Sequence, residues 1–328
     1  MDFFEQFNQA KREFTYGDYE DMDRNNLQVG LVATFYIDQC YLPHKRRGLA
    51  DALRLYYKHF GQHFKWCYFG DRRPQQPGEK SFEQCCQYIV QEEDDAVEFM
   101  WSSETSALLH VGDYMVSALS MQDWFEQVHK VMSYFTFYLP VEALKGEGKA
   151  LFETLLLECC RLLQPIHGSA GLGMQVCYEN EEFQDLEYEV AQEFTGIDVG
   201  SITADRDLRT GFRSINWYTI LSTPFVDKLG GTGELKKQMD DERIVLLPFD
   251  AGLMVRAGEW PELGWVRQNP YPELYVKVNN VLKPARAPEV KSFHFGSIED
   301  EVRFDPKTSN EWMKRFDNPK PGPLRVVE

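Results

Sequence analysis

The chain has 328 residues, of which 43% are hydrophobic and 14% aromatic, so its composition excludes wholesale disorder. Its 35 Lys and Arg against 52 Asp and Glu give a formal net charge of −17 at pH 7. A surface of that sign repels nucleic acid and anionic membranes and favours cationic partners, although acidity that only keeps the protein in solution is the plainer explanation. Neither direct nucleic-acid binding nor membrane binding is expected.

The first half of the chain predicts strands separated by helices. Residues 1–26 are polar and acidic, and residues 27–37 are apolar, β-branched and aromatic, which indicates a buried strand. Residues 45–62 carry apolar side chains at helical spacing, and the composition of residues 71–80 is typical of a loop. The elements that follow are an undecided helix or strand at 81–91, paired strands at 97–101 and 108–119, a short helix at 123–130 and a strand at 132–139.

The second half begins with residues 149–163, whose apolar side chains run nearly all round and predict a central buried helix. Residues 168–177 are a glycine-rich entry to a strand, and residues 179–194 predict an amphipathic helix. Residues 244–257 predict two strands joined by a turn, and residues 275–282 a last strand.

The stretch 209–231 has the clearest local signals. Trp217, Ile220 and Leu221 recur at helical spacing and predict a helix. Thr223-Pro224 indicates an N-cap followed by proline at the first position of a second helix. Gly230-Gly231 predicts its C-terminal stop.

No linker divides the chain. The prediction is therefore an α+β fold: a mixed, largely antiparallel sheet packed with helices in a single compact domain. Residues 1–26 form an N-terminal polar segment, residues 27–282 the α+β domain, and residues 283–328 a proline-rich, charged C-terminal segment.

The seven cysteines include two adjacent pairs and no CxxC spacing, so we expect buried, reduced thiols and no disulfide framework. The N-terminus lacks the basic and apolar regions of a secretory signal. No segment approaches the roughly 18 apolar residues that a membrane-spanning helix needs. These features predict a cytoplasmic protein.

Motifs for chemistry are weak. The glycines at 168–173 and 230–233 lack the spacing and the Lys-Ser/Thr of phosphate-binding loops, and turns or close packing explain them better. His59 and His63 are spaced as a metal-binding pair on a helix, but no third ligand is indicated. Asp205 and Asp207 could hold magnesium, although an ion-paired loop is the plainer interpretation. We predict no catalytic, cofactor-binding or metal-binding residues.

The acidic segment 179–193 is more informative, because it contains seven acids and no Lys or Arg. Like charges four residues apart cost an isolated helix roughly 0.2–0.5 kcal/mol per pair. A helix that keeps such pairs either presents them to a basic partner or is a solvated face whose repulsion salt screens. The candidate partner-binding residues are Glu181, Glu182, Asp185, Glu189 and Glu193.

Several short motifs together resemble the type VI immunity protein family. They are RSINW at 213–217 with Thr219 and Leu221, Leu229-Gly230-Gly231, His167-Gly168, the GLG at 171–173 and the FTGIDV at 194–199. The resemblance spans roughly residues 27–282 and carries over no catalytic residues.

The resemblance implies a cytoplasmic antidote that binds a cognate effector toxin of the type VI secretion system. Some partners of such proteins resemble restriction-endonuclease-fold DNases, whose basic substrate surface an acidic inhibitor would complement. Active-site occlusion and blocked toxin assembly are both open. The rival hypotheses are a small-molecule enzyme that uses Asp205, Asp207 and His167, and a scaffold of the secretion machinery.

Overall fold

The computed structural model describes residues 2–21, 23–70, 73–92, 95–200, 202, 206–294 and 303–317. Within those ranges ten strands form one sheet in the order β3-β4-β5-β6-β2-β7-β8-β10-β9, with β1 paired to β2, and every neighbouring pair is antiparallel. The strands are β1 (Tyr16–Gly17), β2 (Asn25–Ile37), β3 (Trp66–Phe69), β4 (Val97–Ser102), β5 (Met115–Ser120), β6 (Ser133–Leu139), β7 (His167–Val176), β8 (Tyr218–Ser222), β9 (Ile244–Phe249) and β10 (Gly252–Ala257).

Ten α-helices accompany the sheet in the described part of the chain. They are α1 (Phe3–Ala10), α2 (Pro43–Phe60), α3 (Glu79–Gln91), α4 (Asp123–His129), α5 (Gly148–Leu163), α6 (Gln184–Glu193), α7 (Thr223–Lys228), α8 (Thr232–Met239), α9 (Glu273–Leu282) and α10 (Pro306–Met313). The predicted α+β class with an antiparallel sheet is confirmed. No helix among the described residues is long and apolar enough to span a membrane.

One face of the sheet carries large apolar side chains under α2, α3 and α5. Trp101 of β4 contacts the rings of Tyr57 and Phe82, and Phe137 of β6 contacts those of Tyr56 and Phe152. Because successive strand residues point to opposite faces, the residues that precede and follow Trp101 and Phe137 point away from these helices. On this second face Ser169 of β7 donates to Asp198, which pairs with Arg213.

Three predicted elements are wrong. The predicted helix at Trp217, Ile220 and Leu221 is wrong: Ile220 and Leu221 lie in β8, and Trp217 directly precedes it. Strand β8 lies between β7 and β10 and is buried on both faces, so the spacing of its apolar residues does not indicate its structure. Residues 275–282 lie in α9, with Tyr275, Val278 and Leu282 buried at helical spacing.

The predicted strand at 108–119 begins only at Met115, because residues 103–114 form a loop. The undecided segment at 81–91 belongs to α3. Helix α5 is also not buried all round: Phe152, Leu156 and Cys160 face the core, while Thr154 and Arg161 are exposed.

Most other boundaries agree with prediction to within about two residues, the usual scatter of helix ends. Helix α7 begins at Thr223 with Ser222 as its N-cap, one residue earlier than predicted. Gly230 and Gly231 end it with φ of 91° and 85°, a conformation that glycine adopts without steric cost.

The proposed segment boundaries at 27 and 283 stay predictions. Buried Phe7 and Phe14 of the first segment and Trp312 of the last belong to the same hydrophobic core as β2. Residues 71, 72, 295–302 and 318–328, which fall in the predicted loop and C-terminal segment, lie outside the described residues.

Candidate partner-binding surface

The acidic segment folds as a short 3₁₀ turn, Asn180–Phe183, followed by α6. Val190 and Ala191 pack into the core, which fixes the side of α6 that faces solvent. Glu181, Glu182 and Glu189 are exposed, and Asp185 is half-buried. Four of the five candidate residues therefore present carboxylates to solvent.

One acid of the run is structural. Glu187 is only 1% exposed, and its Oε2 lies 2.8 Å from His294 Nε2. His294 Nδ1 accepts the backbone N–H of Phe304 at 3.1 Å, so the ring proton is on Nε2 and is donated to Glu187. This bond ties α6 to the C-terminal segment.

Glu193, the fifth candidate, also has partners within the chain. Its Oε1 accepts from Trp265 Nε1 and from Arg267 Nε, both at 2.8 Å. The absence of basic residues within the acidic run is thus compensated at this position by a distant segment. Its part in binding a partner stays a prediction.

Six carboxylates define what we call the acidic surface: Glu13, Glu179, Glu181, Glu182, Asp185 and Glu189. Among the described residues none of the six has a Lys, Arg or His within ion-pair distance. Burial raises the pKa of the Tyr16 hydroxyl, and the charges of Glu189, Glu13 and Asp185 raise it further.

The other end of this surface lies near Cys177. Burial raises the pKa of its thiol to about 12, with Glu179 and Glu182 contributing. The acidic surface therefore extends from Tyr16 of β1 to Cys177, just after β7.

Exposed apolar side chains border the acidic surface. Tyr178 and Leu109 are each 46% exposed. The backbone N–H groups of Tyr178 and Glu179 donate to the carbonyls of Ala107 and Leu108, which places the loop 103–114 beside the acidic turn. Large apolar anchors within a charged rim are typical of protein interfaces.

Of the arginines and lysines near this surface, Arg24 and Arg303 bind other residues of the chain, and Lys11 and Arg12 lie at its border. Arg24 pairs with Asp21 and Glu104. Arg303 donates to the buried Gln184 of α6. Lys11 and Arg12 are exposed in the turn just before Glu13. The net charge of the region is negative.

The RSINW stretch at 213–217 is buried and structural. Arg213 Nη2 lies 2.7 Å from Asp198 Oδ1, and Ser169 Oγ donates to the other carboxylate oxygen at 3.0 Å. Burial lowers the pKa of the Arg213 guanidinium, but the Asp198 carboxylate outweighs it and the pKa is raised. Trp217 is fully buried and donates its Nε1–H to the carbonyl of Gly258 at 3.2 Å.

The C-terminal segment is held by the same cluster. Arg315 donates to Ser214 Oγ and to the carbonyl of Thr195, both at 2.6 Å. Burial lowers its pKa to about 9; Asp198 opposes that shift and the Arg213 cation adds to it. Arg315 therefore remains charged at neutral pH.

The residues of the enzyme hypothesis do not form a site in the described part of the chain. His167 is fully buried, its Nε2 lies 2.9 Å from the carbonyl of Leu208, and burial lowers its pKa to about 3. Asp205 lies outside the described residues, and the side chain of Asp207 is likewise not described. The described residues contain no group of three or more potential metal ligands.

Neither the histidine pair nor the glycines form a ligand site. Helix α2 ends at Phe60, so His59 and His63 do not share one helix face, and His63 stacks on Tyr114 at 3.9 Å. Gly168 lies inside β7, where a Cβ atom would approach the carbonyl oxygen of Thr34 to 2.4 Å, which explains the glycine by close strand packing. All seven cysteines are buried and unpaired, as predicted.

A family model described as TsiV, type VI immunity for VRR-NUC, matches residues 48–316. The chain belongs to the TsiV family. This confirms the resemblance seen in the short motifs: the chain is a member of an immunity protein family of type VI secretion.

A solved structure described as Pseudomonas aeruginosa T6SS protein PA0821 is similar to this TsiV-family chain. The TM-score is 0.81 at 20% sequence identity, over 96% of this chain and 91% of that one. At that identity the likeness shows a shared fold. No curated relative matches.

Proposed function

We propose that this chain is a cytoplasmic antidote that binds its cognate nuclease effector one to one and neutralises it without catalysis. The observation that carries the proposal is the acidic surface, six carboxylates that form no ion pair within the part of the chain that the structure describes, bordered by Tyr178 and Leu109. The family description names VRR-NUC, which we take to be the nuclease domain of that effector.

The physical argument is electrostatic complementarity. A DNA-cleaving enzyme needs a basic surface for the phosphate backbone, and a surface of unpaired carboxylates competes for the same groups. Exposed acids accelerate encounter, while apolar side chains that become buried slow dissociation. Binding of this kind favours occlusion of the DNA-binding surface over interference with toxin assembly.

The first experiment identifies and titrates the partner. The effector that co-purifies from native lysate is isolated, and its DNA cleavage is measured with increasing amounts of this protein. We expect complete inhibition at a one-to-one ratio, and slower complex formation when DNA is added first. Turnover of DNA or of the effector by this protein, or inhibition far below one equivalent, would contradict a stoichiometric binder.

The surface is tested by reversing Glu181, Asp185 and Glu189 to Lys. We expect association at least about tenfold slower at low salt, and a difference that shrinks as salt rises. The matched control reverses three exposed acids elsewhere, Glu83→Lys, Glu147→Lys and Asp250→Lys, with the same change in net charge.

If the two triple variants slow association equally, only net charge matters and the surface assignment is wrong. If neither changes the association rate or its salt dependence, the electrostatic argument fails.

A further inference from the structure

A pocket of about 180 Å³ opens on the sheet face that points away from α2, α3 and α5. Its lining includes two methionines, three tyrosines and a threonine: Met100, Met115, Tyr134, Tyr138, Tyr178 and Thr136. Typical small-molecule sites are roughly 300–1,000 Å³. The space therefore suits one long side chain better than a cofactor.

Cross-strand register builds the pocket floor. Met100 of β4 faces Ser117 of β5, which faces Thr136 of β6. The neighbouring row places Glu98 beside Leu119, with Tyr134 next to it on β6. Glu98 does not line the pocket itself but lies beside the lining, in the same row as Tyr134 and one row from Met100.

Tyr178 closes one side. The chain leaves β7 at Val176 and crosses to the loop 103–114, where the Tyr178 N–H donates to the Ala107 carbonyl. The Tyr178 hydroxyl then donates to Glu98 Oε1 at 2.9 Å. A ring that remains 46% exposed is fixed in place by this bond.

Glu98 is a half-buried carboxylate without a cationic partner among the described residues. Its charge reaches both rings at the pocket. Burial raises the pKa of the Tyr134 hydroxyl and Glu98 adds to that effect. Burial and the hydrogen bond to Glu98 likewise raise the pKa of Tyr178. A cation placed between these rings would relieve the unpaired charge.

We propose that this pocket receives an arginine side chain of the bound effector, with its guanidinium against the rings of Tyr134 and Tyr178 and paired with Glu98. Aromatic faces beside a carboxylate favour cations, and a planar guanidinium stacks on tyrosine where a lysine ammonium does not. Methionine thioethers adapt to the aliphatic stem.

The identity of the occupant rests on the proposed function, because the arginine belongs to the effector. Continuity supports it: Glu179, the residue after Tyr178, is part of the acidic surface, so one partner can cover both. A basic nuclease surface supplies arginines at such a contact.

The pocket can be tested without the effector. The protein carrying ¹³C-methyl methionine is titrated with N-acetyl-L-arginine methylamide, and the methyl resonances of Met100 and Met115 are followed by NMR. We expect saturable shifts at both methyls, weaker binding of the lysine analogue, and loss of the response in Glu98→Gln. Equal methyl shifts with the neutral citrulline analogue, or no shift up to the solubility limit of the arginine derivative, would overturn the proposed guanidinium site.

The effector arm measures Kd for the complex. We expect Glu98→Gln and Tyr134→Leu each to weaken binding at least about tenfold, which is about 1.4 kcal/mol, and Tyr134→Phe to retain wild-type affinity because the ring remains. Thermal unfolding of each variant verifies that it folds. Loss of affinity in Tyr134→Phe equal to that in Tyr134→Leu would point to the hydroxyl and overturn ring stacking.

The two proposals fail in different ways. Wild-type protein that binds no nuclease effector disproves the proposed function, while the arginine titration still decides the pocket. Wild-type protein that binds tightly while Glu98→Gln changes nothing sustains the antidote and overturns the arginine contact. A double-mutant cycle between Glu98→Gln and Arg→Ala changes in the effector then identifies the arginine or finds none.

Discussion

Glu187 and Glu189 lie two residues apart on α6 in opposite environments. Glu187 is sealed against His294 and joins α6 to the C-terminal segment, whereas Glu189 is exposed and has no cationic partner among the described residues. A buried carboxylate needs a hydrogen-bond or ion-pair partner, because its desolvation costs several kcal/mol. An exposed carboxylate is solvated by water, so the lack of a partner within the chain costs little. The same residue type thus stabilises the fold at one position and is available for binding at the other.

The contrast extends to the cluster around Arg213. Asp198 and Arg213 are buried beside the half-buried Arg315, and the three connect β7, the RSINW stretch and the C-terminal segment. The acidic surface has the opposite arrangement: several like charges that have no ion-pair partner among the described residues. We therefore expect mutations in the first region to affect folding and mutations in the second to affect association.

The largest effect is expected for Arg213→Met, which leaves the buried Asp198 carboxylate without its cation. Breaking a buried pair from one side costs about 3–5 kcal/mol of unfolding free energy. Urea unfolding measures it. The control, Arg243→Met, removes an exposed arginine paired with Asp241 and Glu273 and is expected to cost less than about 1 kcal/mol. Similar losses in both variants would show that burial does not decide the cost of removing an arginine.

Glu187→Ala comes next. The change leaves His294 Nε2–H without its buried acceptor, and losing a hydrogen bond to a charged group costs about 2–3 kcal/mol. Glu189→Ala on the same helix is the control, with an expected change below about 0.5 kcal/mol. Chemical denaturation of both variants at the same pH compares them, and equal values would show that burial does not separate the two residues.

His167 predicts a pH dependence. Its folded pKa of about 3 lies below the usual value of about 6.5, so the unfolded chain takes up a proton first as the pH falls. The stability due to neutral His167 is present above pH 6.5 and is lost between about pH 6.5 and 3.

His167→Gln removes this titration. From pH 6.5 to 5.0 the wild type should lose about 1.6 kcal/mol more unfolding free energy than the variant. Urea unfolding at the two pH values measures the difference. His129→Gln, a change at an exposed ring on α4, should keep the wild-type loss. An identical pH slope in His167→Gln would show that His167 does not stay neutral.

The smallest effect concerns stability of the acidic surface itself. The triple variant Glu181→Gln, Asp185→Gln, Glu189→Gln removes repulsion between like charges four residues apart. Its free energy of unfolding should therefore be unchanged or rise by a few tenths of a kcal/mol. Thermal unfolding at low salt is the measurement. A loss of unfolding free energy above about 1 kcal/mol would mean that these acids stabilise the fold, which contradicts their assignment to partner binding.

Local sequence signals were sufficient for many of the elements. Helix α2 could be predicted from its helical spacing, and strand β2 and the β9–β10 hairpin from runs of apolar and β-branched residues. Strand β8 was mispredicted because both of its faces are buried, so its apolar residues show no period of two. Helix α9 was mispredicted because Val276 and Val278 alternate with Lys277 as in a strand, although Tyr275, Val278 and Leu282 recur at helical spacing.

The candidate site, too, could be predicted from the sequence only in part. The acidic run at 179–193 was visible as composition, and its exposed members Glu181, Glu182, Asp185 and Glu189 were among the candidates. Nothing in the run indicated that Glu187 is buried, since its partner His294 is 107 residues away. The pocket with Glu98 had only the alternation of aromatic and small residues at 132–139 as a signal, which indicates two faces without telling which one stays open.

The sequence by itself determined the α+β class, the acidic character, the reduced buried thiols and the family, because composition, local periodicity and short motifs are carried by neighbouring residues. Only the tertiary structure decided which acids are paired and which are free. Pairing depends on contacts such as Glu193 with Arg267 and Glu187 with His294, which form between segments far apart in the chain and exist only in the folded protein.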